Sequence, residues 1–552
     1  MDASSGPQAA PRSVTDKPNI VLVFAGLLLT MLLASLDQTI FSTALPTIVG
    51  ELHAADEMGW VITIYLLTST IVLPVYGKLG DLIGRKGIFI AAISIFVVGS
   101  TIGGFAPDMT WLIIGRGVQG LGGGGLMILS QAIIADVVPA RERGRYMGIM
   151  GAVFAVSSVA GPLLGGWLTD AVSWRWCLWV NIPLGILAII AAAAFLHLQK
   201  HPTAAVRLDV YGIGLLALAS TGLILVSTWG GTTYDWDSPL IILLIVATAI
   251  AAIVFVLVER RTPEPIMPLK LFRRRNFNLS TGAGLLIGVA MFGTIAYTPT
   301  YLQMVTGVNA TQAGLLMVPM MAALLVSSVA SGQIVSRTGR YKWAPIAGTL
   351  TTAVGLFLLS TMSATTAVWV TCLYLAVMGL GLGLCMQNLI LVVQNTFPNS
   401  MVGTATATNN YFRQIGSSLG AAIVGTVFTS RLADLLTQRL SAGGSAAAGA
   451  SNEFTPGSVK HLPAAIRDII VASYADALTP IFLAMVPLMV VATLLVVFLR
   501  EVPLRTTIDH SDVIADSLEI DGSNAVALTT AELAIISAAQ RNEDRGRAVS
   551  TE

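Results

Sequence analysis

Charge is what this chain has least of. Only 11% of its 552 residues are Asp, Glu, Lys or Arg, while 55% are apolar and the mean hydropathy is +0.78. A soluble protein of this length carries about 25% charged residues, so the deficit excludes a soluble globular domain and points to a bilayer. The net charge of +1 says nothing about partners, because the charges are sorted by side and not by total. Cysteine is scarce as well. Cys177, Cys372 and Cys385 all fall in apolar segments, which argues against a disulfide framework and for small apolar packing. The five histidines, His53, His197, His201, His461 and His510, lie outside the apolar runs, so no histidine relay or helix-borne zinc site is available in the membrane. No GxxxxGK[ST] segment occurs, which rejects ATP-driven chemistry. The literal GxGxxG match at Gly120–Gly125 follows no strand and sits in an apolar helix, as a packing stripe. The expectation is a protein that is not an enzyme, with no catalytic residue, metal, cofactor or nucleic-acid partner.

What is abundant is long apolar runs. Fourteen segments of roughly 18–28 residues are long enough to cross about 30 Å of hydrocarbon. They fall near 20–46, 59–77, 87–106, 110–135, 145–169, 177–196, 210–228, 240–258, 278–304, 312–335, 343–362, 368–396, 403–429 and 477–499. The first is too long for a signal-peptide core and reads as a membrane span. Lys and Arg concentrate after the even-numbered spans 2 to 10, as in Lys78, Arg85 and Lys86 or Arg141, Arg143 and Arg145, whereas the short odd loops up to span 11 carry only Arg175. Positive residues stay inside, so both termini are expected in the cytoplasm. The segment 430–475 reads as a long outer loop, tolerably basic because long translocated segments follow the rule poorly. Within it 440–457 is low-complexity. The polar tail 501–552 contains one capping pattern, Thr529 to Glu532.

Two basic turns repeat. Gly77, Asp81, Gly84 and Arg85 recur as Gly332, Ser336, Gly339 and Arg340, 255 positions later. A repeated turn between spans means a duplicated bundle, the architecture of transporters that alternate access. The expected organisation is a cytoplasmic tail 1–19, a six-helix half 20–197, two extra helices with their loops 198–277, a second six-helix half 278–500 and a tail 501–552. The even insertion keeps both turns on one side of the membrane.

Several polar residues interrupt the spans. Span 1 holds Asp37 in Leu-Asp-Gln-Thr-Ile and ends at Pro46; span 4 opens with Arg116, Gly117 and Gln119. Asp37 and Arg116 fall at similar depth, and no other carboxylate lies clearly inside a span. Buried charge in a membrane is costly and by default functional, with Arg116 the natural partner of Asp37; the alternative is a structural ion pair that does not titrate. Span 5 carries Gly148, Ser157, Gly161, Pro162, Gly165 and Gly166, a small-residue face suited to close packing of the two halves, with a proline bend. Trp174, Arg175, Trp176 and Trp179, before Asn181 and Pro183, read as an outer aromatic belt. Span 13 carries Asn409, Asn410, Arg413 and Gln414. With Gln119 these are candidate cavity residues. Arg413 either faces a cavity and an anionic substrate group, or is held by Gln387, Asn388 or Gln394 of span 12.

The GKLGDLIGRK turn with its copy, the span-4 arginine, the span-1 aspartate and the GPxxGG sequence of span 5 together resemble the fourteen-span drug:proton antiporters of the major facilitator superfamily, which include bacterial quaternary-ammonium and dye exporters. The resemblance covers about 20–500. It implies an all-α membrane protein of the major facilitator fold, a bacterial inner-membrane location and a functional monomer. It also implies export of hydrophobic or monocationic drugs, with Asp37 and Arg116 coupling to protons. Ser157 departs from the usual glycine and Ser336 from the charged latch. The absence of acids from the second half's spans argues against strong dication export. The alternative function is export of an endogenous metabolite, lipid or siderophore by the same fold.

Overall fold

The computed structural model describes residues 20–54, 57–196, 208–231, 233–442 and 463–506. Fourteen of its helices are long and apolar enough to cross a membrane: Ile20–Leu52, Met58–Ile83, Arg85–Gly104, Met109–Val137, Ala140–Ala171, Trp176–Phe195, Val210–Trp229, Pro239–Glu259, Arg275–Thr306, Gln312–Thr338, Trp343–Ser360, Val368–Thr396, Asn399–Arg439 and Ala464–Val497. They are spans 1 to 14 below. Span 6 begins as a single turn, Trp176–Trp179, before its main helix Asn181–Phe195. The described residues form no strand beyond a bridge between Gly230 and Tyr234.

Helix packing repeats the duplication. Span 1 packs on span 5, span 2 on span 4, span 3 on spans 4 and 6, and span 1 on span 6; each pairing recurs eight spans later, as 9 on 13, 10 on 12, 11 on 12 and 14, and 9 on 14. Each half buries its own apolar core, one around Phe89, Phe96 and Leu129 and one around Met320, Met378 and Phe482. The halves meet through spans 5 and 10, and through spans 2 and 13. Each repeated turn has a positive-φ glycine at the end of its helix. Gly84 (φ 94°) and Gly339 (φ 73°), 255 positions apart, both adopt the left-handed region, which costs glycine nothing and lets each helix stop short. The side that carries these turns is called the basic face here.

The helices outrun their apolar cores. Span 1 continues to Leu52, span 13 to Ala442, and span 14 starts at Ala464, so the expected loop 430–475 is helix at both of its described ends. The added turns pay for themselves by packing: Leu432 and Leu436 are buried in the same core as Ile470 and Tyr474, and Arg439 pairs with Asp476. Most of 440–457 and the Thr529–Glu532 pattern lie outside the described residues.

Spans 7 and 8 pack on each other, and only span 7 makes an extensive contact with the bundle, on spans 2 and 13. Two buried carboxylates, Asp209 and Glu259, sit at the basic-face ends of this pair. Asp209 caps span 7 by accepting from the Gly212 amide, and Glu259 accepts from the Met267 amide. Asp37 is therefore not the sole buried acid, but it is the one held far from a helix end.

Candidate functional site: a buried Asp37–Arg116 centre and an interhalf latch

Asp37 is fully buried and Arg116 nearly so. Arg116 lies seven residues into span 4, about 10 Å from its start at 1.5 Å per residue. Its Nη1 donates to Asp37 Oδ2 at 2.7 Å and to Gln119 Oε1 at 2.6 Å. Gln119 Nε2 returns a bond to Asp37 Oδ1 at 2.7 Å and a second to Ser100 Oγ at 2.8 Å. Asn181, at the start of the main helix of span 6, also donates to Asp37 Oδ1 at 2.7 Å. The carboxylate thus accepts three bonds from spans 4 and 6. The guanidinium lies between the rings of Phe41 and Tyr65, 4.3 Å from each centroid, a cation–π sandwich that replaces part of its lost hydration. Its hydrogen bonds both run through Nη1, and its Nε has no partner. The pair is held in an apolar setting by the three donors that satisfy the carboxylate and by the ion pair itself.

The glycines of span 4 make this depth possible. Gly120 and Gly123 abut Tyr65, and Gly122 abuts the Ala92–Phe96 backbone, so a Cβ at any of them would collide. The stripe is a packing surface that brings spans 2 and 3 against span 4.

The second cluster joins the halves at the basic face. Asp81 accepts from Arg85 at 2.7 Å and, across the interface, from the Gly403 and Thr404 amides at 3.1 and 2.7 Å and the Thr404 hydroxyl at 2.8 Å. An acceptor near a helix N-terminus is favoured by the helix dipole. Arg85 also donates to Asp136 at 2.6 Å and to the Asn399 carbonyl at 3.0 Å. Gly77 lets span 2 touch Gly403 and Ala407 of span 13; its counterpart Gly332 lets span 10 touch Gly144 of span 5. Where the first turn has Asp81, the second has Ser336, whose carbonyl receives only a long 3.5 Å contact from Arg141. Arg340 is exposed. The closure reaches inward through Gln131, which accepts from Gln394 and Asn410, and through Ser328, which donates to the Gly148 carbonyl at 3.2 Å. On the other side of the closure, span 1 exposes Gln38, Ser42, Thr43 and Thr47. These exposed polar side chains all lie on the half of span 1 away from the basic face.

Other expectations need correction. Of the span-5 small residues, Gly148 contacts the other half, but Gly161 and Gly165 pack on Thr39 and Ile40 of span 1 within their own half, and Gly166 meets nothing. Span 1 can come that close only against glycine, and the Thr39 hydroxyl then bonds the Ser157 carbonyl at 2.9 Å. Pro162 lies within the helix of span 5. Trp174 is no belt residue: it is buried, donates to Glu51 at 2.9 Å and stacks under Arg175. Gln119 belongs to the Asp37 centre and not to a cavity. Asn409 accepts from Thr281 and Asn410 donates to Gln131, both buried, while Arg413 and Gln414 keep partial exposure. Gln394 and Asn388 bond Gln131 and Ser331 instead of Arg413.

Sequence reasoning missed Ser100, Asn181, Phe41 and Tyr65 as members of the Asp37 centre. The available signal was polarity out of place: a serine in apolar span 3 and an asparagine at the head of span 6.

The Major Facilitator Superfamily model matches residues 27–209 and 210–421. An uncharacterized MFS-type transporter of Mycobacterium tuberculosis is 41% identical over 90% of this chain and 72% of that protein. The multidrug transporter protein MdtP of Bacillus subtilis is 35% identical over 88% of this chain and 93% of its own length. Multidrug resistance protein 3 of the same bacterium is 33% identical over 92% and 98%. The crystal structure of the human organic anion transporter MFSD10 shares the fold, with TM-score 0.59 and 14% identity over 87% of this chain and 100% of that one.

Proposed function

The chain belongs to the major facilitator superfamily, and from that premise we propose that it is a proton-coupled antiporter that exports hydrophobic compounds, monocations among them, from a bacterial cell. The observation that carries the reading is the Asp37 carboxylate, fully buried and bonded to Arg116, Gln119 and Asn181. Multidrug relatives in Bacillus support the cargo class. The excess of Lys and Arg at the basic face supports assigning that face and both termini to the cytoplasm, and the exposed polar side chains of span 1 support an open cleft on the outer side. No residue in this reading acts as an enzyme would.

Protonation of Asp37 from the outer cleft removes the charge that holds Arg116. The guanidinium then keeps only Gln119 Oε1 and two rings, and the contacts of spans 1, 4 and 6 favour a different arrangement. A proton shifts the equilibrium between states only through such a difference in interaction. Opening to the cytoplasm requires Asp81 to leave the Gly403 and Thr404 amides. Each proton moving inward brings about 2.3 kcal/mol per 100 mV of membrane potential.

The test is reconstitution. Inside-out vesicles holding the protein should accumulate ethidium or a hydrophobic carboxylate when the lumen is acid, and lose that accumulation when a protonophore collapses the gradient. Equal accumulation with and without the gradient would reject coupling.

A further inference from the structure

Arg413 is a cation without a counter-ion. Among the described residues its guanidinium makes no hydrogen bond or ion pair. Its electrostatic neighbour is the buried Cys385 thiol of span 12. Its place in the helix says where it points. At 3.6 residues per turn, Arg413 lies about 60° around span 13 from Asn410, which reaches across to Gln131 of the other half. The face bearing Tyr411, Phe412, Ile415 and Leu419 is turned to spans 7 and 8, away from Arg413. Gly416, about 60° round in the opposite sense, closes against Leu285 of span 9 on its other flank. Arg413 therefore looks into the space between the halves. It stands one turn, about 5 Å, beyond the Asn410–Gln131 bond on the side away from the basic face, at the floor of the cleft. Unlike Asn409 and Asn410 it remains partly exposed.

We propose that Arg413 is a substrate-recognition residue that takes the carboxylate of a hydrophobic organic acid or zwitterion. An unpaired charge in a membrane interior is costly, and a planar guanidinium offers a carboxylate two parallel donors. Among the described residues no acid of the second half pairs with it, Asp476 being held by Arg439, and the cargo itself supplies the counter-charge. This inference rests on the export reading for the identity of the cleft as a cargo site, but not on proton coupling.

The experiment is equilibrium binding to the purified full-length protein in detergent, by calorimetry, with biphenyl-4-carboxylate and its neutral primary amide. The expected result is at least ten-fold tighter binding of the carboxylate. In Arg413→Gln that preference disappears while amide binding is unchanged; in Arg413→Lys part of it survives. A wild-type protein with no preference overturns the proposal without recourse to any variant, as does a preference that persists in Arg413→Gln. If Arg413→Gln does not purify as a monodisperse species, Arg413→Lys decides: loss of amide and carboxylate binding alike would show a packing role and overturn the proposal. Because no gradient is present, failure of proton-driven transport leaves this readout untouched.

Discussion

At the scale of single residues, the centre of the account is one carboxylate and the three donors that hold it. Replacing Asp37 by Asn removes the carboxylate charge but keeps the size and an acceptor oxygen. Asp37→Asn is expected to reach the membrane, to keep substrate counterflow between equal pools, and to lose accumulation driven by a pH gradient. Gradient-driven accumulation at the wild-type rate would dismiss Asp37 as the coupling site. Asn181 tests the supporting shell. A hydrogen bond to a charged group is worth about 1.5–3 kcal/mol, so Asn181→Leu should slow proton-driven uptake by about ten-fold or more without abolishing it, at equal protein in the membrane. An unchanged rate would make Asn181 a bystander. Asp37 and Arg116 were legible as a pair because charge in an apolar run is conspicuous. Asn181 and Ser100 were not, since a neutral polar residue in or near a helix has many ordinary uses, and only the folded arrangement brings Asn181, 144 positions away, onto the carboxylate and Ser100, 63 positions away, onto the Gln119 and Asn181 amides that hold it.

At the scale of elements, the two basic turns each place a positive-φ glycine at a helix end but differ in chemistry. Both use a left-handed glycine, at Gly84 and Gly339. Only the first holds a buried arginine bonded to Asp81, Asp136 and the Asn399 carbonyl. Arg85→Ala should therefore reduce initial efflux far more than Arg340→Ala at matched expression, and an equal or reversed ranking would refute the asymmetric latch. The repeat and its unequal charge were visible in the sequence; that Asp81 reaches across to the head of span 13 was not, because that contact lies between halves. Spans 7 and 8 make a second prediction. The Ser220 and Tyr411 hydroxyls lie 2.8 Å apart, Lys78 pairs with Glu264 at 2.6 Å, and the Trp60 and Trp229 rings meet. The pair is thereby fixed to the flank of spans 2 and 13, on the side away from the cleft. Single cysteines along 212–226 should stay unlabelled by a polar thiol reagent from either side of the membrane. Strong labelling that substrate suppresses would place these spans in the pathway.

At the scale of the whole molecule, the halves are bonded together at the basic face while span 1 exposes polar side chains on the other side, and the account reads this as one end of a two-state cycle. Span count, duplication and the sidedness of charge could be read from the chain because they follow from apolar run length and from parity. The extents of spans 13 and 14 could not, because their added turns are held by Leu432, Leu436, Ile470 and Tyr474 packing on one another, a tertiary gain that no local hydropathy records. Nor could the seating of Gly161 and Gly165 on span 1, since a small-residue face does not name its partner. If protons and cargo share one cycle, the coupling is reciprocal. The most direct test is to run it backwards: vesicles with equal pH on both sides, a pH dye inside, and a steep gradient of ethidium or biphenyl-4-carboxylate, whichever the protein accumulates. The account predicts that cargo movement drives protons the other way in the wild-type protein, seen as a sustained change in internal pH, and that Asp37→Asn shows none. Cargo flux through the wild-type protein with no change in internal pH would contradict it.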